Sequence, residues 1–294
     1  MPSISPTHRT TRRLWPFAVA LLLPILSGNS GVAQTPSPAF WELRPEKVTE
    51  MLLPVPGDDH QRFTRLRQYF TDLHCLPALM EEQTIQKHHA GKNLICVLPG
   101  KDKDTEQILV AVRYDHRERM NGQSGWNEAV MLPLLYKALQ AQDRQHTFIF
   151  AELYGGAGQT AFFDRFRKNG QHAPEAIVVL DRLGLSQPWF YAPPATRLSA
   201  KGRERNAMNN WLESEAVFTA RLQKMPLPGD ATPEATDNTL LFDAYNAPSI
   251  LIYSVFHRSV PDQAFHQDFE FLAYYLCKID AELSNQVVWS SAGK

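Results

Sequence analysis

The chain contains little cysteine, no excess of charge of either sign and few long apolar runs. Of its 294 residues only three are cysteine, while 30 are lysine or arginine and 31 are aspartate or glutamate. A net charge near zero leaves no basic surface for nucleic acid or an anionic membrane, so we expect neither partner. The cysteines Cys75, Cys96 and Cys277 lie far apart without C-x-x-C spacing, which argues against a structural zinc site and a disulfide-built scaffold. A single Cys75–Cys96 bridge suits an oxidising compartment, and three buried thiols are the alternative.

The longest apolar run lies near the N-terminus. Arg12 and Arg13 precede the run 14–26, and small residues ending at Ala33 follow it. This order is typical of a secretory signal peptide, with cleavage expected before Gln34. The run is shorter than the ~20 residues that a membrane-spanning helix needs. We therefore expect a periplasmic or secreted protein with no membrane anchor after cleavage.

Apolar stretches of β type alternate with stretches of helical periodicity along the rest of the chain. Continuous Val, Ile, Leu and Phe runs are typical of strands buried on both faces, and intervening helices imply right-handed crossovers. We predict an α/β fold of three layers, α/β/α, around a mostly parallel twisted sheet. The predicted strands are 93–98, 107–113, 146–152, 176–181 and 249–253, and the predicted helices are 60–73, 128–141, 160–168, 201–224 and 269–283.

Local composition predicts how these elements connect. We expect strands 93–98 and 107–113 to be neighbours, and residues 154–158, which are rich in glycine, to form a loop. Trp211, Leu212 and Leu222 are candidate anchors of the helix 201–224. The predicted domain plan is a signal peptide at 1–33, an N-terminal extension with a helix at 34–92, the main domain at 93–284 and a tail at 285–294.

Titratable residues follow the ends of four predicted strands: Asp115, Glu152, Asp181 and His257. A single aspartate at a strand end is more often a helix cap or a solvated loop residue. Ligands of parallel sheets, however, bind beyond the carboxyl ends of the strands. Four such residues at one edge therefore favour a functional site there, with Arg113 and His116 beside Asp115.

The order of these motifs resembles that of the secreted zinc aminopeptidases and the glutaminyl cyclases, which share one zinc exopeptidase-like α/β fold. The resemblance extends from about residue 93 to about residue 281 and includes Val178-Val-Leu-Asp181-Arg-Leu-Gly184, followed by Gln187-Pro-Trp-Phe190. The other matching stretches are 93–101, 108–115, 127–130, 148–152, 237–242 and 256–262. It implies a zinc site at the carboxyl edge and peptide or protein N-termini as ligands.

At the metal site the residues depart from the family pattern. Arg113 stands where the aminopeptidases have a histidine ligand, and a guanidinium offers only donors and cannot coordinate a cation. The bridging aspartate falls on Asn127, with Glu128 next to it. The paired glutamates align with Tyr154 and Gly155. The resemblance therefore implies an incomplete ligand set.

Asp181 and His257 match the family's metal ligands, and two ligands do not make a stable zinc site. Our leading interpretation is a degenerate member that holds no catalytic zinc and acts by binding a peptide or protein. In this interpretation Arg113 supplies the positive charge by bridging Asp181 and either Asp115 or Glu152.

The alternative is an active aminopeptidase or glutaminyl cyclase. It would hold one zinc with Asp181, His257 and a third ligand, and Glu152 or Asp237 would move the proton. The candidates for the third ligand are Glu128, Glu152 and His116. Trp189, with its neighbours Phe190 and Tyr191, would line a specificity pocket, although core packing is the competing role for these aromatic residues.

Overall fold

The computed structural model describes residues 43–85, 91–101, 107–115, 124–168, 173–193, 199–226, 247–254 and 261–292. The strands are β1 Met80–Thr84, β2 Lys92–Leu98, β3 Gln107–Arg113, β4 Thr147–Leu153, β5 Ala176–Asp181, β6 Pro188–Tyr191 and β7 Ser249–Ser254. The helices are α1 Pro45–Leu52, α2 Asp59–Asp72, α3 Ser124–Gln140, α4 Gly155–Lys168, α5 Ala200–Leu222 and α6 Pro261–Ala292. Within these ranges no helix is both long and apolar enough to cross a membrane. The predicted signal peptide lies outside the described residues.

The strands form one sheet in the order β1-β2-β4-β3-β5-β7-β6. β3 pairs in parallel with β4 and β5, and β5 pairs in parallel with β7, whereas the other three pairings are antiparallel. The four central strands therefore end at the same edge, which confirms the predicted three-layer fold with a mostly parallel sheet. We call this side of the sheet the carboxyl edge.

Two details of the predicted sheet are wrong. β2 and β3 are not neighbours, because β4 lies between them and pairs with both. Hydrophobic runs indicate that a segment is a strand but not which strand it pairs with. Two edge strands, β1 and β6, were not predicted: β1 is the polar sequence MEEQT, and β6 has four residues and begins with a proline.

Two details of the predicted helices are also wrong. The glycine-rich residues do not form a loop, because α4 begins at Gly155 and the Gly158 N–H donates to the Tyr154 carbonyl at 2.7 Å. Leu222 is 63% exposed and does not anchor α5, whereas Leu212 is fully buried as predicted.

Side-chain alternation divides the core between the two faces of the sheet. Val110, Phe150 and Val178 point to the face that packs against α3 and α6, which we call the α3 face. Ala111 and Ala151 point to the opposite face, which we call the α4 face because Phe162 and Phe163 of α4 cover it. This division determines where the residues at the strand ends project.

A disulfide joins Cys75 to Cys96, which confirms the predicted bridge rather than three thiols. Cys75 follows α2 and Cys96 lies in β2, so the bond ties the helix to the sheet. Cys277 is a free thiol, and burial raises its pKa to about 12.

A buried histidine ties α6 to the opposite, amino edge of the sheet. The His146 ring is fully buried, with Nδ1 2.9 Å from Asp280 Oδ1 and Nε2 3.5 Å from Glu175 Oε2. Burial alone would lower the pKa of His146, but the interactions with Asp280 and Glu175 outweigh it and raise the pKa to about 9. The imidazole is therefore a buried cation at neutral pH.

The raised pKa of His146 predicts a loss of stability in alkali. Because the pKa rises from 6.5 in the unfolded chain to about 9 in the folded protein, the stabilisation is complete below pH 6.5 and is lost as the pH rises through 9. Its slope in this interval is about 1.4 kcal/mol per pH unit. We expect the free energy of unfolding to fall between pH 6 and 10 more steeply in the wild type than in His146→Gln.

Urea denaturation at several pH values measures this difference. The wild type is compared with His146→Gln because Asp268 also makes stability depend on pH. Burial raises the pKa of Asp268 to about 8, so this acid lowers the free energy of unfolding of both proteins as the pH rises. Equal slopes for wild type and His146→Gln would refute the protonated histidine.

Candidate functional site

The residues at the strand ends share the carboxyl edge but project to opposite faces. Arg113 and Asp181 continue the alternation of Ala111 and Val179 and project to the α4 face. Glu152 continues the alternation of Phe150 and projects to the α3 face, where its register partner is Val112. The single predicted cluster is therefore two groups, and the expected alternative of an Arg113–Glu152 bridge is wrong.

On the α4 face Arg113 and Asp115 form a buried ion pair. Arg113 donates from Nε to Asp115 Oδ1 at 3.2 Å and from Nη2 to Asp115 Oδ2 at 3.1 Å. The two side chains are only 7% and 8% exposed. Gly155, with φ of +54°, begins α4 directly against them, and a Cβ there would lie 3.2 Å from Asp115 Oδ2. The Arg113–Asp115 contact of the predicted bridge is confirmed, whereas its Arg113–Asp181 contact stays a prediction.

The second ion pair of this face joins Asp181 to its neighbour Arg182. Arg182 Nε lies 3.1 Å from Asp181 Oδ2, and 29% of the arginine side chain is exposed. Across the sheet Asp181 pairs with Tyr253, which pairs with Trp189, so these three residues form one row on the α4 face. The rings of Trp189 and Tyr253 are 6.5 Å apart. Charged and aromatic groups therefore line this part of the edge together.

The turn after β5 is held by two buried carboxylates from the helices of the α3 face. Glu128 Oε1 accepts from the Arg182 N–H at 3.1 Å, and Asp268 Oδ2 accepts from the Gly184 N–H at 2.7 Å. Arg182 and Gly184 both have positive φ, of 52° and 76°. At Gly184 a Cβ would lie 3.0 Å from Asn127 Nδ2, so only glycine fits without displacement. Asp181 is thus positioned by both α3 and α6.

The sequence interpretation missed Asp268. Burial is the main reason that its pKa is raised to about 8, although hydrogen bonds from Gly184 and Ser254 lower it. An acid between Phe265 and Phe269, inside an apolar helical stretch, was the signal that could have identified it.

Glu152 and Glu128 are two buried acids of the α3 face. Both side chains are fully buried. Neither carboxylate oxygen of Glu152 has a hydrogen-bond partner among the described residues, and the same holds for Asn127 Oδ1. Burial first, and then the charge of Glu128, raise the pKa of Glu152 well above its ordinary value.

The structure thus divides the predicted site residues into two groups and leaves three aside. On the α4 side lie Arg113, Asp115, Asp181 and Trp189; on the α3 side lie Asn127, Glu128 and Glu152. His116, Asp237 and His257 lie outside the described residues.

The described residues do not fit a zinc site of the kind that the resemblance implies. Within these ranges no group of three His, Cys, Asp or Glu side chains is arranged to hold a metal. Of the positions that the resemblance implicates, Arg113 offers only donors, Asn127 is uncharged, and the Asp181 carboxylate is paired with Arg182. Zinc requires three protein ligands that are anionic or imidazole.

Comparison with solved structures identifies the fold. A glutaminyl cyclase from Porphyromonas gingivalis superposes with a TM-score of 0.57 over 80% of this chain and 98% of that chain, at 14% identity. An Acidobacteriales bacterium glutaminyl cyclase gives 0.60 over 81% and 92%, at 13% identity. The chain has the fold of the glutaminyl cyclases. LapB from Legionella pneumophila shares it, with a TM-score of 0.62 over 81% of this chain and 73% of that chain, at 10% identity.

At these identities the likeness demonstrates the fold alone. No protein-family model and no curated protein matches the sequence. Function must therefore be argued from the side chains at the carboxyl edge.

Proposed function

We propose that the protein is a zinc-independent member of the glutaminyl cyclase fold, which binds the N-terminal segment of a peptide or protein on the α4 face of the carboxyl edge. The signal-peptide pattern at residues 1–33 supports export, so the ligand would be periplasmic or extracellular. The observation that carries the proposal is the buried Arg113–Asp115 pair at 3.1 Å.

This pair opposes metal binding in two ways. A guanidinium is always protonated and repels a divalent cation placed nearby. Its bidentate hydrogen bonds also engage both oxygens of the neighbouring carboxylate, Asp115. Asp181, which projects to the same face, has Arg182 as a partner.

The same face carries groups suited to binding a peptide. Arg182 is partly exposed, and its guanidinium is a donor for peptide carbonyl oxygens. Trp189 also presents an aromatic surface to an apolar side chain.

The proposal is tested with the purified mature protein. We expect elemental analysis after dialysis to find no near-stoichiometric zinc. Peptides with N-terminal glutamine should release no ammonia even with added zinc, yet should bind saturably. Replacement of Arg182 by alanine should weaken this binding by about tenfold, which corresponds to 1.4 kcal/mol.

Lys101→Ala is the matched control, since Lys101 forms an exposed ion pair with Asp143 at the other end of the sheet. Its peptide affinity should equal that of the wild type. Zinc that resists dialysis, or ammonia release that a chelator abolishes, would instead establish an active metalloenzyme. Absence of peptide binding in all proteins would also refute the proposal.

A further inference from the structure

Asp268 is a fully buried acid that α6 contributes to the carboxyl edge. Its Oδ2 accepts from the Gly184 N–H at 2.7 Å and lies 3.4 Å from the Ser254 hydroxyl. That hydroxyl donates to the Ser186 carbonyl at 3.1 Å. One side chain of α6 thus joins the turn after β5, the segment before β6 and the last residue of β7.

The segments joined in this way carry the groups of the proposed peptide site. Arg182 lies two residues before Gly184, and Tyr253 directly precedes Ser254. Tyr253 also pairs across the sheet with Trp189 of β6. The hydrogen bonds around Asp268 therefore fix the backbone from which both the guanidinium and the two aromatic rings project.

The turn after β5 requires this support. Arg182 and Gly184 have φ values of 52° and 76°, in the left-handed region, and such conformations persist only when neighbouring contacts hold them. Glu128 accepts from the Arg182 N–H, and Asp268 accepts from the Gly184 N–H. Without Asp268 the buried Gly184 N–H loses its acceptor, which is costly enough to displace the turn.

We infer that Asp268 is a positioning residue of the proposed peptide site, which holds the Arg182 guanidinium in place relative to Trp189. The inference rests on the proposed function, because it concerns affinity for the same peptides. Groups that bind a ligand must be held to within about 0.5 Å by the residues around them. A shift of the turn after β5 therefore lowers peptide affinity even where the fold persists.

Isothermal titration calorimetry tests this role, with the full mature protein at pH 7 and a peptide that begins with glutamine. We expect Asp268→Ala to weaken binding about tenfold, the effect of losing one buried hydrogen bond. Asp268→Asn keeps an acceptor for the Gly184 N–H and should restore affinity to within about threefold of the wild type. Since burial raises the pKa of Asp268 to about 8, the acid is mostly protonated at pH 7 and asparagine also matches its charge.

Asp280→Ala is the matched control. Asp280 is a buried acid of the same helix, and it accepts from backbone N–H groups at the opposite, amino edge. Its removal should lower stability as well, yet the peptide affinity should equal that of the wild type. A double-mutant cycle with Arg182→Ala adds a second readout: the factor lost through Asp268→Ala should be smaller when the Arg182 side chain is already absent.

Three results would overturn the positioning role: unchanged affinity in Asp268→Ala, an equal loss in Asp268→Ala and Asp280→Ala, or an equal factor in both backgrounds of the cycle. If Asp268→Ala does not fold, Ser254→Ala tests the same junction by removing one hydroxyl. We expect it to weaken binding about threefold, and unchanged affinity would again overturn the role. These results leave the proposed function intact, whereas absence of peptide binding by the wild type refutes both.

Discussion

Replacing Arg113 by alanine should lower the free energy of unfolding by about 3–5 kcal/mol. The substitution leaves the Asp115 carboxylate, which is only 8% exposed, without its bidentate partner in a site beside the start of α4. An uncompensated buried charge is among the few causes of losses this large. Urea denaturation at neutral pH measures the difference.

The double variant Arg113→Ala with Asp115→Ala separates the loss of the ion pair from the cost of the stranded acid. Because it removes both charges, we expect it to be more stable than Arg113→Ala alone. Lys101→Ala breaks a pair whose side chains are 56% and 74% exposed, and should cost no more than about 1 kcal/mol. A loss in Arg113→Ala as small as that of Lys101→Ala would show that the pair does not stabilise the carboxyl edge.

Replacing Asp280 by alanine should have an effect of similar size, about 3–5 kcal/mol at pH 7. Asp280 accepts from the backbone N–H groups of Gln145 and His146 at 3.0 and 2.8 Å and contacts His146 Nδ1 at 2.9 Å. Its loss leaves these donors without their acceptor and leaves a buried imidazolium with Glu175 as its nearest acid. Thermal and urea unfolding both report the change.

Glu282→Ala is a control on the same helix. Glu282 is 39% exposed and pairs with Lys278 one turn earlier, so its removal should cost about 0.3–0.5 kcal/mol. We also expect Asp280→Ala to approach the wild type in stability as the pH rises above 9, because His146 is then neutral in both proteins. A constant difference across this pH range would contradict the charge-based explanation.

Sequence patterns predicted the central strands well. β3 and β5 begin and end at the predicted residues, because each is a continuous apolar run bounded by polar residues. The edge strands β1 and β6 carry no such run, since an edge strand needs little burial, and they were missed. β2 was placed beside β3 on proximity in sequence, whereas the structure inserts β4 between them.

The candidate site was predicted residue by residue but not as an arrangement. Asp115, Glu152 and Asp181 were identified because they follow apolar runs, and Arg113 because a cation stood at a ligand position. Which of these residues share a face depends on the alternation of side chains along each strand and on the register between strands. Alternation places Glu152 on the same face as Phe150, and the register between β3 and β4 places Arg113 on the opposite face.

The amino-acid order alone therefore specified the fold class, the strands that form its centre and the charged residues at their ends. Tertiary structure decided the long-range partners: Glu128 of α3 accepts from the Arg182 N–H, and Asp268 of α6 accepts from the Gly184 N–H. The reason is that hydrophobic periodicity is a local property of the chain. Contact between charged groups depends on strand register and helix placement, which arise only when distant segments pack together.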